Sequence, residues 1–305
     1  MPAKPPAREV PRAALEVAKL HSALLREAGV YADPEQRVAA AAILDRFPGV
    51  RAHLQAARRA HCDAALNAVT RGGAKGVVFG AAGYPDVPYP HALALAAVPS
   101  ARFCYCSMEP RITLYNEAEL GGPNVAACHG SLMEPAELLA LPQVAGIGGP
   151  LCVMACLAPH YWPADLFAHL MGEYARLLPA GSILVMTVLI LDRTRDGGEF
   201  AAALAEAGGA PVQAHTPESV RSWVSGAGMR VRRGDVTDAR AYGRPWAERS
   251  LPRLPPARIA VVTARKPRRG AASAVSRLTG PLPRLAPLAH RPSGRPGTPP
   301  QDPAL

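Results

Sequence analysis

The sequence predicts an α/β fold with a doubly wound, mostly parallel sheet of seven strands and a helical cap at the N-terminus. Two observations lead to this prediction. From about residue 74 onward, short apolar runs alternate with amphipathic stretches, as in strands joined by crossover helices. Before that point, apolar side chains recur at helical spacing, and no run of strand type separates them.

The cap is predicted over residues 13–73, after a Pro-rich, flexible segment at 1–12. Its first helix, at 13–28, has leucine and valine at helical spacing and ends before Gly29. Asp33-Pro34 predicts the start of a second helix, because an N-cap residue is followed by Pro at the first helical position. A Phe47-Pro48-Gly49 break separates the second helix from a third, which is predicted over 50–70.

Residues 74–265 are predicted to form the sheet domain. Its seven strands are expected at 76–80, 102–106, 125–129, 151–157, 182–191, 229–235 and 258–264. Helices are expected between them at 91–98, 111–120, 135–139, 163–178 and 217–226. The last two strands follow the final helix as a close pair, separated by a Pro-rich loop rather than by a crossover helix.

The first strand and its continuation carry the clearest binding signal. The apolar run 76–80 breaks into Ala81-Ala82-Gly83, whose small side chains allow a ligand to approach the backbone. About twenty residues later, a second apolar run ends in Ser107-Met108-Glu109. This order is typical of the first two strands of a nucleotide-binding sheet, where the second strand ends beside the ribose. The loop is not a full GxGxxG pattern, and the second strand lacks the usual aspartate.

The chain of 305 residues has a formal net charge of +10, and much of the excess lies at its C-terminus. Residues 266–305 contain seven Lys or Arg and one Asp among many Pro, Ser and Gly residues. This composition predicts a disordered basic tail. Nucleic acid is therefore not an expected partner, except through nonspecific contacts of the tail.

Six cysteines lie mostly in apolar, strand-like runs, which predicts buried free thiols in a reducing cytoplasm. Cys104 and Cys106 are expected on the same face of one strand. No Cys-x-x-Cys pair occurs and the histidines lack ligand spacing, so no metal site is expected. No signal-peptide segment is visible, and the longest apolar run, 182–191, is too short to span a membrane. The sequence predicts a soluble, cytoplasmic protein.

Several segments, taken in order, resemble those of one protein family. Gly83-Tyr84-Pro85 stands where that family has Gly-Leu-Pro, and Leu132-Met133-Glu134-Pro135 where it has Leu-Arg-Asp-Pro. Further segments of this kind lie at 47–51, 58–60, 105–110, 150–162, 177–182, 216–220 and 259–267. Over residues 18–267 the chain resembles the actinobacterial S-adenosylmethionine-dependent methyltransferases of the DUF574 kind.

The resemblance implies a Rossmann-like class I methyltransferase fold, with an antiparallel last strand and a helical N-terminal cap. It implies S-adenosylmethionine as the cofactor and an acceptor of unknown identity, expected to be a small molecule. The positions that match the family's motifs give as cofactor-binding residues Ala81, Gly83, Tyr84, Ser107, Glu109, Ser131, Leu132 and His160. The catalytic residue is unknown, with His160 as a weak candidate, and Tyr161 and Trp162 beside it either wall the site or cap the core.

The chain departs from the family pattern at its acidic positions. Phe79 stands where the family has the aspartate of its glycine loop, and Ala81 stands at the first glycine. Ser107 replaces the acid after the second strand, and Ser131 replaces the aspartate after the third. A serine in place of the ribose-binding acid costs roughly 1–3 kcal/mol of binding free energy. An inactive methyltransferase fold with a binding or regulatory role is therefore the alternative.

Each expected contact also has a structural interpretation. Gly83 belongs to a cofactor loop or to a simple turn, and Glu109 binds ribose or caps the next helix. Ser131 and Leu132 lie beside adenine or end a strand. His160 lines the site, acts as a general base, or does neither. A nicotinamide-dependent dehydrogenase agrees with the fold class but fits the loop and the cap poorly.

Overall fold

The structure is a computed structural model that describes residues 10–25, 31–85, 87–191, 193–243 and 257–268, without the side chains of residues 10–13 and 233. Its strands are β1 (Gly76–Gly80), β2 (Arg102–Ser107), β3 (Val125–His129), β4 (Leu151–Cys156), β5 (Ile183–Leu191), β6 (Val236–Asp238) and β7 (Ala257–Arg265). Its helices are α1 (Val10–Leu25), α2 (Pro34–Arg46), α3 (Val50–Thr70), α4 (Pro90–Ala97), α5 (Pro110–Leu120), α6 (Pro135–Ala140), α7 (Pro142–Ala145), α8 (Ala164–Leu177), α9 (Arg195–Gly208) and α10 (Pro217–Gly226).

The seven strands form one sheet in the order β3-β2-β1-β4-β5-β7-β6. The first five run parallel, and β7 runs antiparallel between β5 and β6. The predicted doubly wound, mostly parallel sheet with an antiparallel last strand is therefore confirmed. The strand order reverses between β1 and β4, and open α/β sheets bind ligands at the carboxyl ends of strands at such a point.

Both faces of the sheet are buried, because successive side chains of a strand point to opposite sides. Val77 and Phe79 belong to one apolar cluster, which also contains Leu20 of α1 and Ala57 of α3. Val78 belongs to a second cluster with Phe167 of α8. The cap helices thus share a core with the sheet, and the predicted domain boundary at residue 73 stays a prediction.

The N-cap residues of α2 and α10 differ in the hydrogen bonds that their side chains make. Asp33 occupies the N-cap position of α2 with Pro34 after it, yet its carboxylate makes no capping hydrogen bond. It accepts from Lys19 Nζ at 2.6 Å instead, which ties α2 to α1. Thr216 caps α10 in a reciprocal capping box with Ser219, which satisfies two backbone N–H groups at the helix start.

The predicted sixth strand at 229–235 is wrong. In that segment only Arg230 makes a bridge to β7, and Arg233–Asp235 forms a 3₁₀ turn. The carboxylate of Asp235 accepts from the Arg232 backbone N–H at 2.8 Å, and this bond closes the turn. β6 therefore begins only after the turn, at Val236–Asp238. The sequence also failed to predict α7 and α9. The first turn of α9 contains Gly197-Gly198, a pair with low helix propensity, and the helix is started by the Thr194 cap.

The predictions for residues 1–9, 26–30 and 269–305 lie outside the described residues. The first helix begins at Val10 rather than at residue 13, and its predicted last residues are among those not described. Within the described ranges, no helix has the length and apolar character needed to cross a membrane.

Candidate functional site

A cavity of about 530 Å³ lies at the carboxyl ends of β1, β2, β3 and β4, where the strand order reverses. This volume falls within the range of small-molecule sites. Its lining residues are Ala14, Val17, Ala18, Ala81, Ala82, Gly83, Ser107, Met108, Ile112, Gly130, Ser131, Leu132, Met133, Cys156, Leu157, Ala158, Tyr161, Trp162, Pro163, Leu166, Gly209, Ala210 and Pro211. None of these residues carries a formal charge, so the cavity favours neutral and apolar ligand groups.

The segment after β1 brings the backbone to this cavity. Ala81 has a φ of +50°, in the left-handed region that favours glycine. A Cβ added to Gly80 would lie 2.1 Å from Leu132 Cδ2, so glycine at this position lets Leu132 close the cavity wall. Gly83 differs, because a Cβ built there has no atom within 4 Å. The position that a Gly83 side chain would occupy is therefore open space within the cavity.

Two serine hydroxyls reach the cavity from the ends of β2 and β3. Ser107 Oγ accepts from the Glu109 backbone N–H at 3.2 Å, and Ser131 Oγ accepts from the Met133 backbone N–H at 3.1 Å. These bonds fix each side chain against its own turn. Each hydroxyl keeps its hydrogen, so both side chains can still donate to a ligand.

A smaller polar pocket of about 70 Å³ adjoins the cavity. Both spaces are lined by Ala18, Ala81, Gly83, Cys156 and Leu157, and the polar pocket also by His21, Ser22, Arg58, His61 and Tyr84. Ser22 Oγ and His61 Nδ1 are buried without a hydrogen-bond partner. Arg58 provides the only formal charge among the described residues that line either space. Buried polar atoms need partners, so this pocket suits a polar, anionic group.

The imidazoles around the polar pocket are neutral near pH 7. Burial, assisted by the Arg58 charge, lowers the pKa of His61 to about 3. His61 Nε2 lies 2.9 Å from Thr187 Oγ1, which fixes the ring. Burial lowers the pKa of His21 to about 4, and His21 Nε2 lies 3.4 Å from the hydroxyl of Tyr161. Both rings therefore stay neutral at pH 7, where a pKa this low makes each of them a weak base.

A family model described as S-adenosyl methyltransferase matches residues 13–244. The chain belongs to this family. The match includes the cap and every residue that lines the cavity. The predicted family is thereby confirmed, and with it S-adenosylmethionine as the cofactor of the family.

Two solved structures have the same fold. A protein from Thermobifida fusca YX, described as a candidate methyltransferase, is 22% identical with a TM-score of 0.70, covering 82% of this chain and 94% of that chain. A DUF574 family protein from Streptomyces avermitilis MA-4680 is 19% identical with a TM-score of 0.71, covering 82% of this chain and 97% of that chain. At these identities the likeness extends to the fold alone. No curated protein matches the chain.

The two spaces fit most of S-adenosylmethionine. The apolar cavity suits its adenine, the polar pocket with Arg58 suits its carboxylate, and the hydroxyl of Ser107 can meet a ribose oxygen. The described lining residues offer no carboxylate for the ribose diol or for the ammonium group. The two spaces therefore fit the cofactor in size and at its anionic end, with fewer charge-assisted bonds than the family resemblance implies.

The predicted site residues divide into three groups. Five of them, Ala81, Gly83, Ser107, Ser131 and Leu132, line the cavity, and Tyr161 and Trp162 line it as well. Tyr84 lines the polar pocket, with its ring stacked on Tyr31 at 4.4 Å between centroids. The other two, Glu109 and His160, lie outside both spaces. That any of these residues binds the cofactor stays a prediction.

Glu109 occupies the N-cap position of α5, and its Oε1 accepts from the Arg111 backbone N–H at 3.2 Å. The side chain is buried, so the capping interpretation agrees with its geometry. His160 lines another cavity, of about 30 Å³, which shares His21, Leu54 and Leu157 with the polar pocket. It is buried with Nδ1 unpartnered, and burial holds its pKa well below the usual range. Its ring faces this small cavity rather than the larger one.

The sequence did not predict the contributions of α1, Arg58 and the segment 209–211. The cavity-lining face of α1 consists of Ala14, Val17 and Ala18, small residues that carry no chemical signal. Arg58 belongs to a family-like segment, but its position at the polar pocket depends on how α3 packs on the sheet. The sequence carried no signal that singles out Arg58, because α3 contains three arginines, Arg51, Arg58 and Arg59, among its alanines.

Proposed function

We propose that the chain transfers the methyl group of S-adenosylmethionine to a small, uncharged and largely apolar acceptor. One observation carries this proposal: an apolar cavity at the switch point of a methyltransferase-family fold continues into a polar pocket that contains Arg58. A nucleoside joined to an amino acid has this division into a less polar body and a charged end. The absence of formal charge on the described cavity walls supports an acceptor without charge.

In this proposal the cofactor supplies an activated methyl group on its sulfonium. Arg58 binds the carboxylate, and the unpartnered Ser22 Oγ and His61 Nδ1 complete the polar end. Ser107 and Ser131 donate hydroxyl hydrogens to the nucleoside end. These contacts position the cofactor so that the chain's main contribution to the rate is alignment of the two reactants.

The remaining lining residues form the space that the acceptor would occupy. Trp162, Leu166 and α1 exclude water from the cavity, which favours an apolar acceptor over bulk solvent. His21 Nε2 lies 3.4 Å from the hydroxyl of Tyr161, but a pKa of about 4 makes this imidazole a weak base near pH 7. The proposal therefore favours acceptors that react without a strong base from the chain. His160 lines the small cavity instead, and burial lowers its pKa well below the usual range, so it is a weak base as well.

A second candidate function is binding or regulation without catalysis. Phe79, Ser107 and Ser131 favour it, because each stands where the family has an acid. Loss of the ribose-binding carboxylate alone costs roughly 1–3 kcal/mol, a factor of about ten to a hundred in affinity.

Catalysis is tested by incubating the full chain with methyl-labelled S-adenosylmethionine and a panel of neutral phenols, amines and thiols. The proposal expects S-adenosylhomocysteine and a labelled product with at least one acceptor. Gly83→Val, which adds a side chain in the open space of the cavity, should abolish both. The matched control Gly172→Val changes an exposed glycine of α8 that also has no neighbour within 4 Å, and should leave both unchanged. Cofactor binding without turnover by any acceptor would favour the binding role.

A further inference from the structure

Three cysteine side chains converge under the end of the sheet that carries Ser107 and Ser131. Cys104 and Cys106 lie on β2, and Cys128 lies on β3 directly beside Cys106 in the strand register. Their sulfurs are 3.5 Å apart for Cys104 and Cys106, 2.8 Å for Cys104 and Cys128, and 3.0 Å for Cys106 and Cys128. All three residues are buried.

Packing of buried thiols in an apolar core does not require three sulfurs in mutual contact. Two cysteines share a face of β2 because strand side chains alternate, but the third arrives from the neighbouring strand at the same level. A pair of adjacent sulfurs would suffice for a disulfide, whereas here each sulfur contacts both of the others. The three side chains therefore define a triangle of possible ligand atoms.

The triangle is close to the size of a three-sulfur metal site. Its centre lies about 1.8 Å from each sulfur, whereas a zinc–thiolate bond is about 2.3 Å long. An outward movement of each sulfur by about 0.5 Å, or a position of the ion about 1.4 Å out of the plane of the sulfurs, makes up the difference. Side-chain rotation alone provides movements of this size.

We propose that Cys104, Cys106 and Cys128 form a binding site for a soft monovalent metal ion, Cu(I). In the described part of the chain, no fourth His, Cys, Asp or Glu joins the group within ligand distance. Zinc in structural sites takes four ligands, whereas thiolates alone select soft ions such as Cu(I). The surrounding cluster is apolar and includes Leu132, Leu138 and Tyr174, so a water ligand is not favoured.

The site lies near the edge of the sheet. β3 is the outermost strand of the sheet, and Cys128 on it is the most exposed of the three residues, at 6%. Binding of one Cu(I) by three thiolates releases the three thiol protons to solvent and leaves the site with a net charge of −2, without any change in oxidation state. The site is separate from the polar pocket, so this proposal does not depend on methyl transfer.

The test is an anaerobic titration of the full chain with Cu(I), supplied as its acetonitrile complex in competition with bathocuproine disulfonate. We expect one Cu(I) per chain to be retained, with a thiolate-to-copper absorption band in the ultraviolet. Cys128→Ser should lose both signals. The matched control Cys62→Ser should keep both, because Cys62 lies on α3, outside the cluster, and serine can also donate to the Pro88 carbonyl, which Cys62 Sγ contacts at 3.6 Å.

X-ray absorption on the copper-loaded wild type keeps the proposal testable even if Cys128→Ser fails to fold. Three sulfur neighbours and no nitrogen neighbour are expected. The proposal would be overturned if the chelator removed all copper from the wild type. It would also be overturned if folded Cys128→Ser retained copper, or if copper had only two sulfur neighbours. Fewer than six titratable thiols in the denatured, anaerobically prepared protein would also overturn it, because the cluster would then hold a disulfide.

Discussion

The rings of Phe79 and Tyr105 stack with their centroids 4.5 Å apart and their planes 12° from parallel. Phe79 lies in the fully buried strand β1, at the position where the family resemblance implies an aspartate, and it is only 3% exposed. Tyr105 is held in turn by a hydrogen bond to His91 Nδ1 at 3.0 Å. A position that carries charge in the family is therefore part of the apolar core in this chain.

Restoring the family's acid at this position should damage the fold. Phe79→Asp removes a stacked ring and places a carboxylate among buried aromatic side chains, so we expect at least about 3 kcal/mol loss in the free energy of unfolding. Urea denaturation followed by circular dichroism measures this loss. The control Phe79→Leu keeps the apolar character and should cost clearly less. Equal stability of Phe79→Asp and wild type would mean that the position is not part of the core.

The strained residue of the loop after β1 should respond in the opposite direction. Ala81→Gly places glycine at a φ of +50°, which relieves strain and should stabilise the chain by about 1 kcal/mol. The neighbouring change Ala82→Gly relieves no such strain and should destabilise by about 0.5–1 kcal/mol. The urea concentration at the midpoint of unfolding should therefore rise in Ala81→Gly and fall in Ala82→Gly. A loss of stability in both variants would contradict the assignment of strain to Ala81.

An acid at the end of β2 should strengthen cofactor binding. Ser107→Asp retains an oxygen that can accept from the Glu109 N–H, and it adds a charged acceptor for the ribose hydroxyls. We expect the Kd for S-adenosylmethionine to fall by about tenfold or more, since bonds to charged groups contribute roughly 1.5–3 kcal/mol. Ser107→Asn is the neutral control of similar size. If Ser107→Asp and Ser107→Asn bind S-adenosylmethionine with the same Kd, a negative charge at this position does not strengthen cofactor binding.

Buried histidines should make the fold sensitive to acid. The folded pKa of His21 is about 4 and that of His61 about 3, both below the value of about 6.5 in an unfolded chain. Between these values the unfolded chain binds protons that the folded chain does not, so the free energy of unfolding falls as the pH falls from about 6.5. His21 alone contributes a loss of order 1–3 kcal/mol by pH 4.

Urea unfolding at several pH values between 7 and 4 measures this loss. His21→Asn should flatten the pH dependence while keeping a polar side chain of similar size. An unchanged slope in His21→Asn would show that His21 is not held in its neutral form by burial.

Most of the fold could be predicted because its signals are local. β1, β3, α2, α3 and α10 have the predicted bounds, since glycine, proline or a capping residue marks their ends. The α9 helix could not be predicted, because Gly197-Gly198 contradicts its helical state and packing of Phe200 and Leu204 supplies the stability. β6 was misplaced because a side-chain-to-backbone bond of Asp235 overrides the alternating pattern before it.

The candidate site was only partly predictable. Residues at strand ends, such as Ser107 and Ser131, could be found because parallel strands end at one edge of the sheet. The sequence left two directions open for the Glu109 side chain, towards ribose or towards its own helix, and its carboxylate caps the helix. Arg58 and Ser22 come together only through the packing of α1 and α3, which a local pattern does not specify.

The central claim is that the cavity and the polar pocket together bind S-adenosylmethionine. Isothermal titration calorimetry of wild type, Arg58→Met and Arg59→Met tests it most directly. Arg59 is the matched control, because it is exposed on the same helix and lines neither space. The account predicts one cofactor per chain, about tenfold to a hundredfold weaker binding in Arg58→Met, and no change in Arg59→Met. Absence of binding to folded wild type at near-millimolar cofactor would contradict it.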